Sequence, residues 1–243
     1  MSTENSNVFK KDNLDLYLKE LAKEYKKLVG GKMPAEIVLI GGAAVIESYG
    51  FRDMTADVDA IISSASAMKD AINLIGERYD LPSGWLNADF RKTDSYSGKL
   101  LQYSSFYRTF CQVLNVRIVT GEYLIAMKLR AFRQYKNDIS DVIGILAEHE
   151  KRGDGITAKR IDRAAEDLYG SWDGFPDGAR DFIMKTLSAG NYESVYDLVR
   201  KNEKEAREQL VEFRESYPDA LKGENVDDVL QKLRAKKQIS DHE

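Results

Sequence analysis

Two carboxylates one residue apart, Asp57 and Asp59, are the most chemically suggestive pair in the chain. They stand in DVDAII, residues 57–62, whose β-branched and apolar content predicts a strand. Side chains alternate across a strand, so both acids project to one side. Val58, Ala60 and Ile62 then point the other way, towards a core. Adjacent carboxylates repel and raise each other's cost of ionisation, and a divalent cation relieves this. Hard, oxygen-preferring Mg²⁺ suits two carboxylates together with substrate phosphates. Upstream, Gly41-Gly42 follows the run EIVLI. Without a β-carbon, this backbone can approach a ligand closely. The helix that starts there turns its first amide N–H groups outward, which makes a seat for an anionic phosphate. A Gly-Gly alone is common as a tight turn, and D-x-D arises readily by chance among 40 acidic residues. The combination, with 14 residues between Gly42 and Asp57 and strand context on both sides, is far more specific and points to a metal–triphosphate site.

The elements that must hold these groups can be read from hydrophobic periodicity. Leu14, Leu18, Leu21, Tyr25 and Leu28 repeat at helical spacing, with Asp12 or Asn13 as start and Gly30 as stop. Residues 36–40 read as a buried strand, AAVIESYG as a short helix, and 57–62 as the next strand. Ser63 or Ser64 can cap a helix over 65–79. Residues 81–87 read as a loop, and 100–119 as two antiparallel strands. After Thr120 the pattern turns helical over 121–136, 138–150, 157–169, 178–189, 192–216 and 225–237. Thr120, Asp138 and Thr157 are the caps, and Gly153, Gly170 and Gly190 the stops. This predicts an α/β domain over residues 1–150 and a helical C-terminal domain over 151–243. The last helices are dense in Lys, Glu and Arg (KNEKEAREQL) and read as solvated faces without an assigned function.

Composition bounds the answer without choosing it. The 243 residues suffice for a real core, and 43% hydrophobic with 31% charged residues excludes a wholly disordered chain. The longest apolar stretch, 37–46, is too short to span a bilayer, and the polar N-terminus lacks a signal core, so no membrane partner and a cytoplasmic location are expected. One cysteine, Cys111, excludes an internal disulfide and a multi-cysteine zinc cluster, and reads as an inert core thiol. With two histidines, neither in a convincing context, a Ser–His–Asp arrangement is unsupported. The net charge of −4 means that a nucleic-acid partner must meet a local basic patch.

The G-G-x14-D-x-D arrangement resembles the signature of nucleotidyltransferases with the DNA polymerase β-like fold. Within them, Arg52-Asp53-Met54-Thr55-Ala56-Asp57-Val58-Asp59 resembles a branch of small prokaryotic proteins. That branch includes the AbiEii-like toxin nucleotidyltransferases of abortive-infection and toxin–antitoxin systems. A second stretch, EYLIAMKLRA at 122–131 followed by KNDISD at 136–141, is similar to that branch's E-Y-L-x-x-M-K-L-x-A helix and the K-D-x-x-D helix after it. The resemblance covers about residues 36–146. It implies a polymerase β-like α/β core, a mixed sheet flanked by helices, and Mg²⁺-dependent transfer of a nucleotidyl group from an NTP to an acceptor. It further implies that Asp57 and Asp59 hold the metals and that Gly41 and Gly42 seat the triphosphate. Lys128 would contact phosphate, and Asp138 or Asp141 would complete the site. By the same analogy the acceptor is RNA, such as a tRNA end, the role is that of a toxin, and the partner is a cognate antitoxin or operon protein.

Many members of that superfamily add a third carboxylate from a later strand. The matching strand, 112–119, presents Val113, Asn115 and Arg117 on its non-core face and no acid. Either Asp138 or Asp141 supplies the charge, or the protein is a catalytically weakened nucleotide-binding or antitoxin-like interaction module. A third reading is a purely structural helical protein with a small α/β cap. Several residues keep two readings each. Lys128 reaches phosphates or snorkels to solvent. Arg130, Arg133 and Lys136 form a helix stripe that is a solvated face or an RNA contact. Asp138 is an N-cap and Asp141 a first-turn dipole partner, or both serve the site. Arg52 and Thr55 touch phosphate or order their loop. Trp85-Leu86-Asn87 is expected to be a packing anchor.

Overall fold

The protein is described by a computed structural model over residues 8–63 and 66–240. The leucine spacing of the first segment builds α1 (Lys11–Leu28), whose Leu14, Leu18, Leu21, Ala22 and Tyr25 form one fully buried stripe. There follow β1 (Ala35–Leu39), α2 (Gly41–Ser48), β2 (Val58–Ser63), α3 (Ala67–Arg78) and β3 (Leu86–Asn87). The hairpin β4 (Ser104–Phe110) and β5 (Leu114–Val119) completes the sheet. The remainder is helical: α4 (Gly121–Ala131), α5 (Asp138–Lys151), α6 (Ala158–Tyr169), α7 (Ala179–Ala189), α8 (Tyr192–Ser216) and α9 (Val226–Ser240).

The five strands form one mixed sheet in the order β3-β2-β1-β5-β4, an α/β architecture with a helical C-terminal region. β1 is antiparallel to β2 and parallel to β5. Leu39 lies opposite both Ala60 and Ile118, which places these with Ile37, Val58 and Val116 on the core face. Asp59, one residue from Ala60, falls on the opposite face by the period of two. A single buried cluster runs from Phe9 through the sheet to Ile161, Leu168 and Ile183. A smaller one, Ala206, Leu210, Val226 and Leu230, joins α8 to α9. Among the described residues no helix is long and apolar enough to cross a membrane.

Local chemistry moved several boundaries. Asp57 lies in the bend before β2 rather than in it. The first helix begins at Lys11, and Asn13 Oδ1 accepts from Lys10 N at 2.7 Å, so Asn13 works from inside the first turn. Ser63 ends β2 instead of capping a helix, Ser64 lies outside the described residues, and α3 starts after Ser66. The expected loop at 81–87 contains β3, which pairs parallel with β2. There Trp85 is buried, stacks on Phe9 and donates to the Ile72 carbonyl, the expected packing anchor. Cys111 is not a core thiol: with Gln112 it forms the β4–β5 turn, both at positive φ, and its side chain is partly exposed. Val113 precedes β5 and is buried rather than displayed on an open face. Finally, α4 stops at Ala131 because Phe132 adopts a left-handed φ of 44°. Arg133 and Lys136 therefore sit on a connecting turn and not on a helix stripe. Arg130 is tied by its guanidinium to the Asp94 and Asp173 carbonyls and over the rings of Tyr169 and Phe175.

Candidate active site

A cavity of about 620 Å³ opens where β1 turns into α2 and β2 begins. Gly41, Gly42, Arg52, Thr55, Asp57, Asp59, Lys128 and Asp138 all line it. Asp57 and Asp59 have no hydrogen bond or ion pair to their side chains among the described residues. Burial, and then the neighbouring charge of Asp57, push the Asp59 carboxyl up to about 6, and Lys128 and Arg133 offset part of this. The pair thus faces the cavity with no cation bonded to either side chain among the described residues. A roomier groove of about 740 Å³, lined by Lys23, Lys26, Lys27 and Cys111, holds no such opposed charges and no paired acids.

The glycine bend is fitted to these acids. Gly41 has a φ of +55°, and a β-carbon there would stand 3.2 Å from Asp59 Oδ2. A β-carbon on Gly42 would overlap the Thr55 hydroxyl. Arg52 and Thr55 order their loop: the guanidinium donates to the Met54 carbonyl at 2.9 Å, to Thr55 Oγ1 at 3.4 Å and to Asp141 Oδ2 at 2.7 Å.

Behind the cavity lies a buried ionic cluster. Lys128 Nζ is 3.0 Å from Asp138 Oδ1 and 2.9 Å from Asp141 Oδ2, and Arg133 Nε is 2.8 Å from Asp138 Oδ2. Burial opposes the Lys128 charge, but Asp141 and Asp138 outweigh it and hold the ammonium above its ordinary range. Burial likewise opposes ionisation of Asp138, and Lys128 and Arg133 pull it down to about 2. Lys128, Arg52 and Arg133 against Asp138 and Asp141 leave one positive charge in excess. Lys128 therefore neither snorkels nor stands free. It is held at the wall by two carboxylates.

Of the two aspartates of α5, Asp138 reaches the cavity wall. Their carboxylates are spent on cations, and Asp141 does not line the cavity. The N-cap of α5 is Asn137, not Asp138. Among the described residues no three His, Cys, Asp or Glu side chains form a metal-holding group. In the strand order β1 stands between β5 and β2, and β5 carries no acid. Asn115 and Arg117 are engaged by Thr109 and Ser104. The neighbour of β2 on its other side is β3, which sets Asn87 beside Asp59. Asp89, two residues on, lines the cavity, and its charge contributes to the raised Asp59 carboxyl. The signal in the sequence was the alternation N-A-D after Leu86, too short to read as a strand.

Two more contributors come from the charged tail. Arg207 of α8 lines the cavity and donates to the Tyr135 carbonyl and to Asn137 Oδ1. Glu203 is buried against the start of α5. Neither stands out from its Lys- and Glu-rich neighbours by type or spacing. His149, outside the cavity, is bonded to Tyr49 and Asp154 and ties α5 to the end of α2.

Residues 17–146 match the model of DUF6036, a family described as a nucleotidyltransferase of unknown function. No curated protein and no solved structure matches the chain. The matched segment spans the glycine bend, the acid pair, Lys128 and both aspartates of α5, and it makes up more than half of the sequence. The protein belongs to the DUF6036 family of nucleotidyltransferases.

Proposed function

We propose that the protein transfers a nucleotidyl group from an NTP to an acceptor, with release of pyrophosphate, in the cavity between the Gly41-Gly42 bend and Lys128. The observation that carries this reading is the Asp57–Asp59 pair, without a bonded partner among the described residues, facing the glycine bend across an open cavity. The donor set fits Mg²⁺: two adjacent carboxylates, one of them resisting ionisation, with room for phosphate oxygens. Asp57 and Asp59 would hold the ion, whose chemistry there is to neutralise charge on the triphosphate. The chain's own part is positioning and electrostatics. The free amides at the start of α2 seat phosphate oxygens. Lys128, pinned by Asp138 and Asp141, presents a fixed cation that needs no reorganisation when charge builds on the leaving group. Arg52 and Thr55 keep the loop before β2 in register with Gly42. Asp89, which lines the cavity and accepts from Lys92 at 2.7 Å, would add a further carboxylate at its rim.

The finer assignment, an AbiEii-like toxin that modifies RNA such as a tRNA end under the control of an antitoxin, rests on the motif resemblance at 52–59 and 122–141. Arg133, Lys136 and Arg207 support it as cations at the same cavity, on a chain that is acidic as a whole. The test is incubation of the purified protein with Mg²⁺, labelled NTPs and total RNA. Label transfer that disappears in Asp57→Ala is expected. Absence of transfer to RNA, protein or small molecules sinks the catalytic reading. One observation favours a second reading, a nucleotide-binding module without turnover: no three-ligand metal group exists among the described residues. Calorimetry that finds Mg²⁺-dependent NTP binding with no label transfer would select it.

A further inference from the structure

We propose that Glu203 on α8 is a positioning residue of this cavity. It covers the exposed amides at the start of α5, so that Asp138 and Asp141 remain on Lys128. Only the nucleotide readout below rests on the proposed function; the positioning itself does not.

A helix begins with amides that have no partner inside it, and a nearby Asp or Asn usually accepts from them. The first turn of α5 is rich in such residues, yet none does so. Asn137, the N-cap, makes no side-chain cap bond, and its Oδ1 accepts from Arg207 instead. Asp138 and Asp141 are turned to Lys128, Arg133 and Arg52. The open amides of Ile139 and Ser140 are met from 64 and 63 residues away. Glu203 Oε1 accepts from Ile139 N at 2.9 Å and Ser140 N at 3.1 Å, and Oε2 from Ser140 Oγ at 2.6 Å. Glu203 is only 2% exposed, and a carboxylate is buried to that extent only where donors hold it. Burial pushes the Glu203 carboxyl up to about 7, the donors on Ser140 and Ile139 offset part of this, and in either protonation state an oxygen remains to accept from the amides.

The consequence is a competition. If Glu203 is removed, the amides of Ile139 and Ser140 lose their acceptor, and the side chains that can replace it in the first turn are Asn137, now accepting from Arg207, and the carboxylates of Asp138 and Asp141. Asp138, whose two oxygens are both engaged, can turn to these amides only by loosening its hold on Lys128 and Arg133, and Asp141, which meets Lys128 and Arg52 through Oδ2, only by rotating that oxygen away from them. The same α8 face braces the other side of the cavity, where Tyr196 and Arg200 donate to the Phe51 carbonyl next to Arg52. The site is therefore completed by a helix that lies beyond the family-matched segment.

The test compares Glu203→Met, of similar size but without acceptor oxygens, with Glu203→Gln, which keeps an acceptor for both amides. Leu230→Ala, in the α8–α9 contact, is the control for general destabilisation. The first readout is acylation of Lys128 by an amine-reactive reagent, followed by mass spectrometry of the full chain's digest. Glu203→Met should raise the rate about tenfold, Glu203→Gln should stay within about twofold of the parent, and Leu230→Ala should not raise it. The second readout is Mg²⁺–ATP affinity by calorimetry. Glu203→Met should weaken it about tenfold, and adding Lys128→Ala should then cost little more than Lys128→Ala alone. Unchanged Lys128 reactivity in Glu203→Met, or an equal rise in Leu230→Ala, overturns the proposal. If the parent protein binds no nucleotide, the functional reading fails, and the acylation series still decides the role of Glu203. If Glu203→Met does not fold, Ser140→Ala together with Glu203→Gln decides it. That pair should raise Lys128 reactivity above Glu203→Gln alone, and no change overturns the proposal.

Discussion

Asp59 sits where burial and the charge of Asp57 both oppose its ionisation, so its carboxyl stands at about 6 against an ordinary 3.8. An acid raised in the folded state binds its proton more tightly there than in the unfolded chain. Its contribution to stability is fully present below pH 3.8 and is lost as pH rises through about 6. Thermal melts of the free protein from pH 4 to 7 should therefore show a decline that Asp59→Asn lacks, and a flat difference between the two would refute this. A metal needs the ionised form, so Mg²⁺–nucleotide affinity should fall as pH drops below about 6. The glycines offer a steric check. Gly42→Ala would drive a methyl into Thr55 and against Arg52 Nη2, displacing the loop before the acid pair. We expect a loss of about 1–3 kcal/mol in urea unfolding and weakened nucleotide binding. Gly50→Ala, where nothing lies within 4 Å, should change neither, and equal behaviour of the two would count against the close fit.

Among the elements, α5 joins the fold to the cavity. Its first turn neutralises Lys128 and Arg52 through Asp141, which is 1% exposed. Asp141→Ala leaves two nearly buried cations short of their partner, and the cost of breaking such a pair is about 3–5 kcal/mol. Equilibrium urea denaturation measures it, and a loss below 1 kcal/mol would mean that the cluster relaxes without Asp141. The strand β3 matters for a different reason. Two residues long, it still carries Asn87 to the side of Asp59 and brings Asp89 into the cavity. Asp89→Asn should lower transferase activity without lowering the melting temperature. A fully active Asp89→Asn would remove it from the site.

For the whole molecule, the buried cluster does not stop where the matched segment does. Ile161, Ala164, Leu168 and Ile183 pack into the same core as the sheet, while α8 covers the start of α5 and donates to the loop at Phe51. A chain cut after residue 150 exposes that apolar surface and uncovers the α5 amides. It should lose cooperative urea unfolding and Mg²⁺–nucleotide binding together. Unfolding of the 1–150 fragment at the midpoint of the full chain would show that the later helices are dispensable.

The elements were legible from residue order because their causes are local. Leucine spacing specifies α1, β-branched runs specify β1 and β2, and the G-G-x14-D-x-D arrangement brings bend and acids together within one β-α-β unit. At Cys111 and at Phe132 a left-handed residue ends an element that apolar content alone would continue, which moves Cys111 into a turn and Arg133 off the helix. Partnership across the fold could not be read that way. Asp138 and Asp141 have the same composition and spacing whether they ligate a metal, cap a helix or hold a lysine. Glu203 looks like any other charge on an exposed helix. Their roles follow from which donors and cations stand within 3 Å after the chain has packed, and that distance depends on strand order and on a helix more than 60 residues downstream.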